Sequence, residues 1–86
     1  MNKLNDLRSK IQEIDNELID LFIKRMNISK QIGEVKKENN MPIEVKEREK
    51  ELIKTYKENF PDDSMWPYFK RLFQEILKLS KEIQNE

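Results

Sequence analysis

The feature that most limits what this chain can fold into is a long, uninterrupted alternation of three- and four-residue steps between apolar side chains. From Leu4 the stripe runs through Leu7, Ile11, Ile14, Leu18, Leu21, Ile28, Ile32 and Val35, with one gap between Leu21 and Ile28. Steps of this size return each side chain to one face of a 3.6-residue helix. Nothing along the way breaks it, because Gly33 is the only glycine and no proline occurs before Pro42. A single helix from about Leu4 to Glu38 is predicted, with Asn39-Asn40 as its stop. At 1.5 Å per residue it would be roughly 50 Å long, whereas a compact chain of this size has a radius of gyration of about 12 Å. The protomer should therefore be elongated, and a chain this short gains from a partner that helps to bury its apolar surface.

Two shorter helices follow. Val45, Leu52, Ile53 and Tyr56 share one side of a helix over roughly 44–59, which ends before Phe60-Pro61. Asp62, Asp63 or Ser64 can cap a third over roughly 64–84, with Pro67 in its tolerant first turn and Phe69, Leu72, Phe73, Ile76, Leu77 and Ile83 as its stripe. No repeat or linker divides the chain, so residues 1–86 read as one all-α domain, a three-helix protomer with a long first helix.

Composition narrows the function. Charged residues make up 40% and apolar residues 36%, a balance that fits either disorder or amphipathic helices, and the periodicity decides for helices. Seventeen basic and seventeen acidic residues cancel, so no overall field draws the chain to nucleic acid or to an anionic membrane. The absence of cysteine and histidine removes disulfides, thiol chemistry, an imidazole base and the ordinary soft-metal sites. No apolar run approaches the roughly 20 residues of a membrane span, and Met1 to Asp6 is too polar for a secretory signal, so a cytoplasmic location is expected.

The informative residues are the polar ones that interrupt the stripes. The gap in the first stripe is filled by Arg25, a cation where a leucine belongs. Eleven residues on, Lys36 projects within about 20° of it and three turns along, so the two long side chains can converge on one anion. Glu49, flanked by Arg48, lies between Val45 and Leu52 in the second stripe, and Ser80 and Gln84 share the face of Phe73, Ile76 and Leu77. A buried polar group without a partner costs a few kcal/mol, roughly, and a charge more, so these inward groups should meet one another or a ligand in a shared polar pocket. Arg8 stands apart: seventeen residues before Arg25, it is roughly 25 Å away along the helix, and one small molecule cannot touch both within one chain. Each of these residues has an ordinary explanation when taken singly. Arg25 and Glu49 can be an interhelical ion pair, Ser80 and Gln84 register-setting hydrogen bonders, and Arg8, Lys36 and Arg48 solvated surface cations.

Taken jointly, Leu7-Arg8 before Ile-x-x-Ile-Asp, Leu18 to Arg25, Lys36, Pro42, Arg48-Glu49, Ser80 and Gln84 make the chain resemble the all-helical, AroQ-class (type II) chorismate mutases from Leu4 to Gln84. The resemblance implies an intertwined helical-bundle homodimer in which Arg8 enters the partner protomer's active site. It implies an enzyme of phenylalanine and tyrosine biosynthesis that isomerises chorismate to prephenate by a Claisen-type rearrangement, with no metal or organic cofactor. By position, Arg25 and the other chain's Arg8 would bind the two carboxylates, with Arg48 and Ser80 completing the polar shell. Glu49 would accept from the ring hydroxyl, and Lys36 and Gln84 would donate to the ether oxygen. Val45 departs from the pattern, standing where an acidic residue is common, and only its backbone N–H would serve the substrate. The rival readings are an isochorismate pyruvate lyase of the same architecture, a noncatalytic helical dimerisation module, and a domain that associates with another shikimate-pathway enzyme.

Overall fold

The structure, a computed structural model, describes residues 2–86; Met1, where the reading of the polar N-terminus begins, lies outside them. It contains three helices, α1 (Asn2–Glu38), α2 (Lys46–Glu58) and α3 (Trp66–Gln84), and no strand among the described residues. The long helix stops at the two asparagines for a backbone reason. Asn40 takes a left-handed conformation at φ 54°, which asparagine tolerates better than most residues, and the Asn39 side chain donates to the Val35 carbonyl at 2.8 Å.

The start of the third helix departs from the sequence expectation. None of Asp62, Asp63 or Ser64 caps it. The Asp62 carboxylate instead accepts from the Ser64 backbone N–H at 3.0 Å and the Ser64 hydroxyl at 2.6 Å, closing a local turn, and α3 begins at Trp66 with Pro67 in its first turn. A short acidic side chain that satisfies its own neighbouring backbone favours a turn over a helix start. Aromatic rings brace the corner: Phe60 meets Trp66 at 5.3 Å and Phe69 at 5.2 Å between centroids, and Tyr56 from α2 stands edge-on to Phe73 of α3 at 5.1 Å. Such pairs contribute about 0.5–1.5 kcal/mol each beyond the area they bury.

Helix α3 is the middle element, packed on α1 along one side and on α2 along the other. Its buried face is Phe73, Leu77, Ser80 and Gln84, steps of four, three and four that keep one side of the helix inward. The face that α1 turns toward it is Met26, Ser29 and Gly33. This corrects the expectation that the Leu18–Ile32 stripe is the inner side: within one chain Leu18, Ile28, Ile32 and Val35 are exposed, as is Leu72 of α3. Gly33 sets the closest approach, since a Cβ there would lie 2.8 Å from the Gln84 Cα. Only a residue without a side chain lets α3 come this near.

The molecule is long and thin, 57 × 27 × 15 Å, with a radius of gyration of 16.4 Å against the roughly 12 Å of a compact chain of this length. The excess comes from residues 2–24 of α1, all of which are exposed. No described helix is long and apolar enough to cross a membrane.

Candidate active site

Where the three helices come together, they enclose a cleft of about 510 Å³. The C-terminal half of α1, one face of α2 with the segment leading into it, and the last turns of α3 line it. A larger depression runs along Tyr68, Arg71 and Lys78, but it is shallow and formed by α3 alone. The cleft brings together Arg25, Lys36, Val45, Arg48, Glu49, Ser80 and Gln84, which the sequence places on three separate helices. Arg8 is not among its lining residues; it is exposed near the start of α1.

Each polar group is held by a neighbour and retains capacity for a guest. The Arg25 guanidinium donates to the Ser80 hydroxyl at 2.5 Å, and its carbon lies 5.4 Å from the Phe73 ring centroid, so a hydrogen bond and a cation–π contact fix it together. One N–H of its five is committed to Ser80, and the rest of the planar fork suits a carboxylate. Ser80 is itself oriented by the buried Ser29, whose hydroxyl donates to it at 3.1 Å.

Lys36 is pinned at the other end of the cleft. Its ammonium donates to the Ile43 carbonyl at 2.8 Å and to Gln84 Oε1 at 3.4 Å, leaving one of three N–H donors to point elsewhere. Because the Gln84 oxygen faces Lys36, the donor side of the same amide remains to address a ligand. Gln84 is buried despite its place at the end of α3, because Gly33 lets it lie directly on α1.

Helix α2 supplies the third wall. Val45 is its N-cap residue in an extended conformation (φ −124°, ψ 94°), with no side-chain oxygen to satisfy the first N–H groups, so the positive end of the helix opens on the cleft. Glu49, one turn on, is half-buried and paired with Lys81 at 3.1 Å. Arg48 is exposed and lies 3.7 Å from Glu51, a loose pair that leaves it free to swing.

Two polar residues of the cleft escaped the sequence reading, Ser29 and Lys81. Ser29 was detectable, since it lies four residues after Arg25 and four before the lone glycine, on the same face. Lys81 carried no signal, being one lysine among many on a charged helix.

A donor-rich cleft in an all-helical chain, with one acid and that acid already paired, has the chemistry to accept a small polycarboxylate. The chain belongs to the chorismate mutase type II family, which it matches over residues 7–85. Over 92 aligned positions it is 33% identical to the bifunctional chorismate mutase/prephenate dehydratase of Aquifex aeolicus, covering 98% of this chain and 25% of that protein. It is 31% identical over 90 positions to the chorismate mutase of Methanocaldococcus jannaschii, covering all of this chain and 88% of the relative. Among solved structures, a conserved hypothetical protein from Pyrococcus furiosus superposes with a TM-score of 0.80 at 38% identity, over 98% of this chain and 97% of that one. The chain thus spans about a quarter of the bifunctional relative and most of the Methanocaldococcus protein.

Proposed function

We propose that this chain is a chorismate mutase, converting chorismate to prephenate in the cytoplasm as a homodimer. The observation that carries the reading is the convergence of two fixed donor pairs, Arg25 with Ser80 and Lys36 with Gln84, on one cleft sized for a small molecule. Family membership supports it, and the Aquifex and Methanocaldococcus relatives bear the mutase name, which disfavours the lyase and the noncatalytic module.

The reaction suits what the site contains. In the rearrangement the ether C–O bond breaks while a C–C bond forms within the same molecule, so no nucleophile and no obligatory proton transfer are needed. The protein has to hold the enolpyruvyl arm over the ring and to stabilise the charge that grows on the ether oxygen. Arg25 binds one carboxylate of the dianion, and Arg8 of a second copy binds the other, with Arg48 and Ser80 around them. Lys36 and Gln84 donate to the ether oxygen, where one such preorganised donor contributes about 3 kcal/mol to the barrier reduction. Glu49 and the Val45 backbone N–H face the ring hydroxyl. Holding both carboxylates also restricts the substrate to reactive geometries.

The homodimer rests on the bare stripe of α1, whose apolar residues from Leu4 to Leu21 are all exposed in one chain. Pairing two such helices covers both stripes and brings a second Arg8 to the cleft. The Aquifex aeolicus relative, named as a bifunctional chorismate mutase/prephenate dehydratase, supports association with another enzyme of the same pathway.

The test is direct. Purified protein should consume chorismate and accumulate prephenate, and its mass in solution should be twice the chain's 10.5 kDa. Release of pyruvate from isochorismate with no prephenate from chorismate would replace this reading with the lyase.

A further inference from the structure

The acid in the cleft poses a problem for a doubly negative guest. Glu49 lines it beside Arg25, Lys36, Arg48 and Lys81, and an uncompensated carboxylate there repels a dicarboxylate. Lys81 answers that problem from α3. Its ammonium pairs with Glu49 Oε1 at 3.1 Å and donates to Glu44 Oε1 at 3.2 Å. The Lys81–Glu49 pair is mostly sheltered, with the two side chains 28% and 25% exposed, whereas Arg48–Glu51 is 63% and 69% exposed. Sheltered pairs are screened less by water and salt, so the first is the effective one. The Glu49 hydrogen bond, joined by Glu44 and opposed by burial, holds the Lys81 ammonium above the ordinary lysine value.

The second contact adds a mechanical consequence. Glu44 precedes Val45, the first residue of the α2 cap, so Lys81 ties the entry to α2 onto α3. Lys36 grips the same segment from α1 through the Ile43 carbonyl. The residues leading into α2 are held by one lysine from each neighbouring helix.

We propose that Lys81 is a positioning residue for substrate binding: by pairing with Glu49 and Glu44 it neutralises the acid facing the cleft and fixes the start of α2, so that a dianion can occupy the site. The inference rests on the chorismate mutase reading for the identity of the guest, but the clamp itself does not.

Glu49→Gln alone, and Lys81→Ala and Lys81→Arg each alone and combined with it, decide it. Lys81→Ala should raise KM for chorismate about tenfold while kcat stays within about threefold, since the interaction acts mainly on binding. Lys81→Arg should restore most of the loss, and in the Glu49→Gln background the Lys81→Ala step should shrink to about twofold or less, because the acid facing the cleft is gone and only the tie to Glu44 is left to lose. An unchanged KM in Lys81→Ala, no rescue by arginine, or an equal penalty in both backgrounds overturns the proposal. Wild-type protein that leaves chorismate untouched overturns the activity reading instead. The clamp is then judged by the melting temperatures of the same variants, where additive losses from Lys81→Ala and Glu49→Gln would refute it and a shared loss would uphold it.

Discussion

The two halves of α1 are one continuous helix with the same apolar rhythm, yet they meet different fates. From Arg25 onward the helix turns Met26, Ser29 and Gly33 against α3, and its polar side chains Arg25 and Lys36 enter the cleft. Before Arg25 its apolar stripe is uncovered: Leu7, Ile11, Ile14, Leu18 and Leu21 are 47–61% exposed. A contiguous apolar patch of this kind is the usual feature of an interaction surface. The difference teaches that periodicity reports which face must be covered and leaves open what covers it. The packed face of the second half is also rotated off the apolar stripe, so that Ile28, Ile32 and Val35 extend the bare surface along the helix.

The strongest way to break the comparison is to charge the bare half. Leu18→Glu should abolish the proposed assembly, reducing the mass in solution to one chain and removing most of the helical signal, because obligate dimers of short chains lack a stable folded monomer. Sedimentation and circular dichroism read the result. A variant that keeps twice the chain mass and full helicity would show that the stripe is not the interface.

The next effect sharpens the comparison by setting a residue from each half against the other. Lys36→Ala should lower kcat by about 100- to 1000-fold with an unchanged helical spectrum, the scale expected for losing one preorganised donor. Arg8→Ala in the bare half and Arg25→Ala in the packed half should each be nearly inactive alone. Mixed and exchanged, they should regain about a quarter of wild-type activity, because half the dimers are then mixed and each has one intact site of two. No recovery despite demonstrated exchange would place the whole site within one chain.

A smaller effect probes the contact that distinguishes the packed half. In an ordinary helix Gly→Ala stabilises by about 1 kcal/mol. At Gly33 the sign should reverse, since the new Cβ would meet the Gln84 backbone at 2.8 Å. A loss of about 1–3 kcal/mol, the usual cost of overpacking, is expected in denaturant titration, with turnover falling as Gln84 moves away from Lys36. Unchanged stability would mean that the two helices can part freely at this point.

These contrasts explain how far the sequence could be read. Three helices and the Asn39-Asn40 stop follow from period and backbone preference, which are local properties of the chain. Arg25, Lys36, Glu49, Ser80 and Gln84 were legible because a polar residue in an apolar stripe is an exception that asks for a cause. Lys81 was not legible: its partners Glu44 and Glu49 belong to another helix, and no local rule says which of many lysines will face them. The face that α1 gives to α3 was hidden for a related reason. It consists of a methionine, a serine and a glycine, small or flexible residues selected for close approach and carrying little hydrophobic signal.

The weakest effect belongs to the corner between α2 and α3, where a local turn displaced the expected cap. The Ser64 hydroxyl, followed by the Ser64 backbone N–H, holds the Asp62 carboxyl below its ordinary value of 3.8. A carboxyl with a lowered folded-state pKa stabilises the protein above the unfolded value, and the contribution disappears as pH falls through the folded one. Asp62→Ala should therefore melt slightly below wild type at neutral pH, and the gap should begin to narrow below about pH 4 and close once the pH is below the lowered folded-state value, where neither protein carries the charge. The site is exposed, so the difference must stay small beside that of Gly33→Ala. A gap that persists unchanged in acid would mean that Asp62 acts through the shape of the turn and owes nothing to its charge.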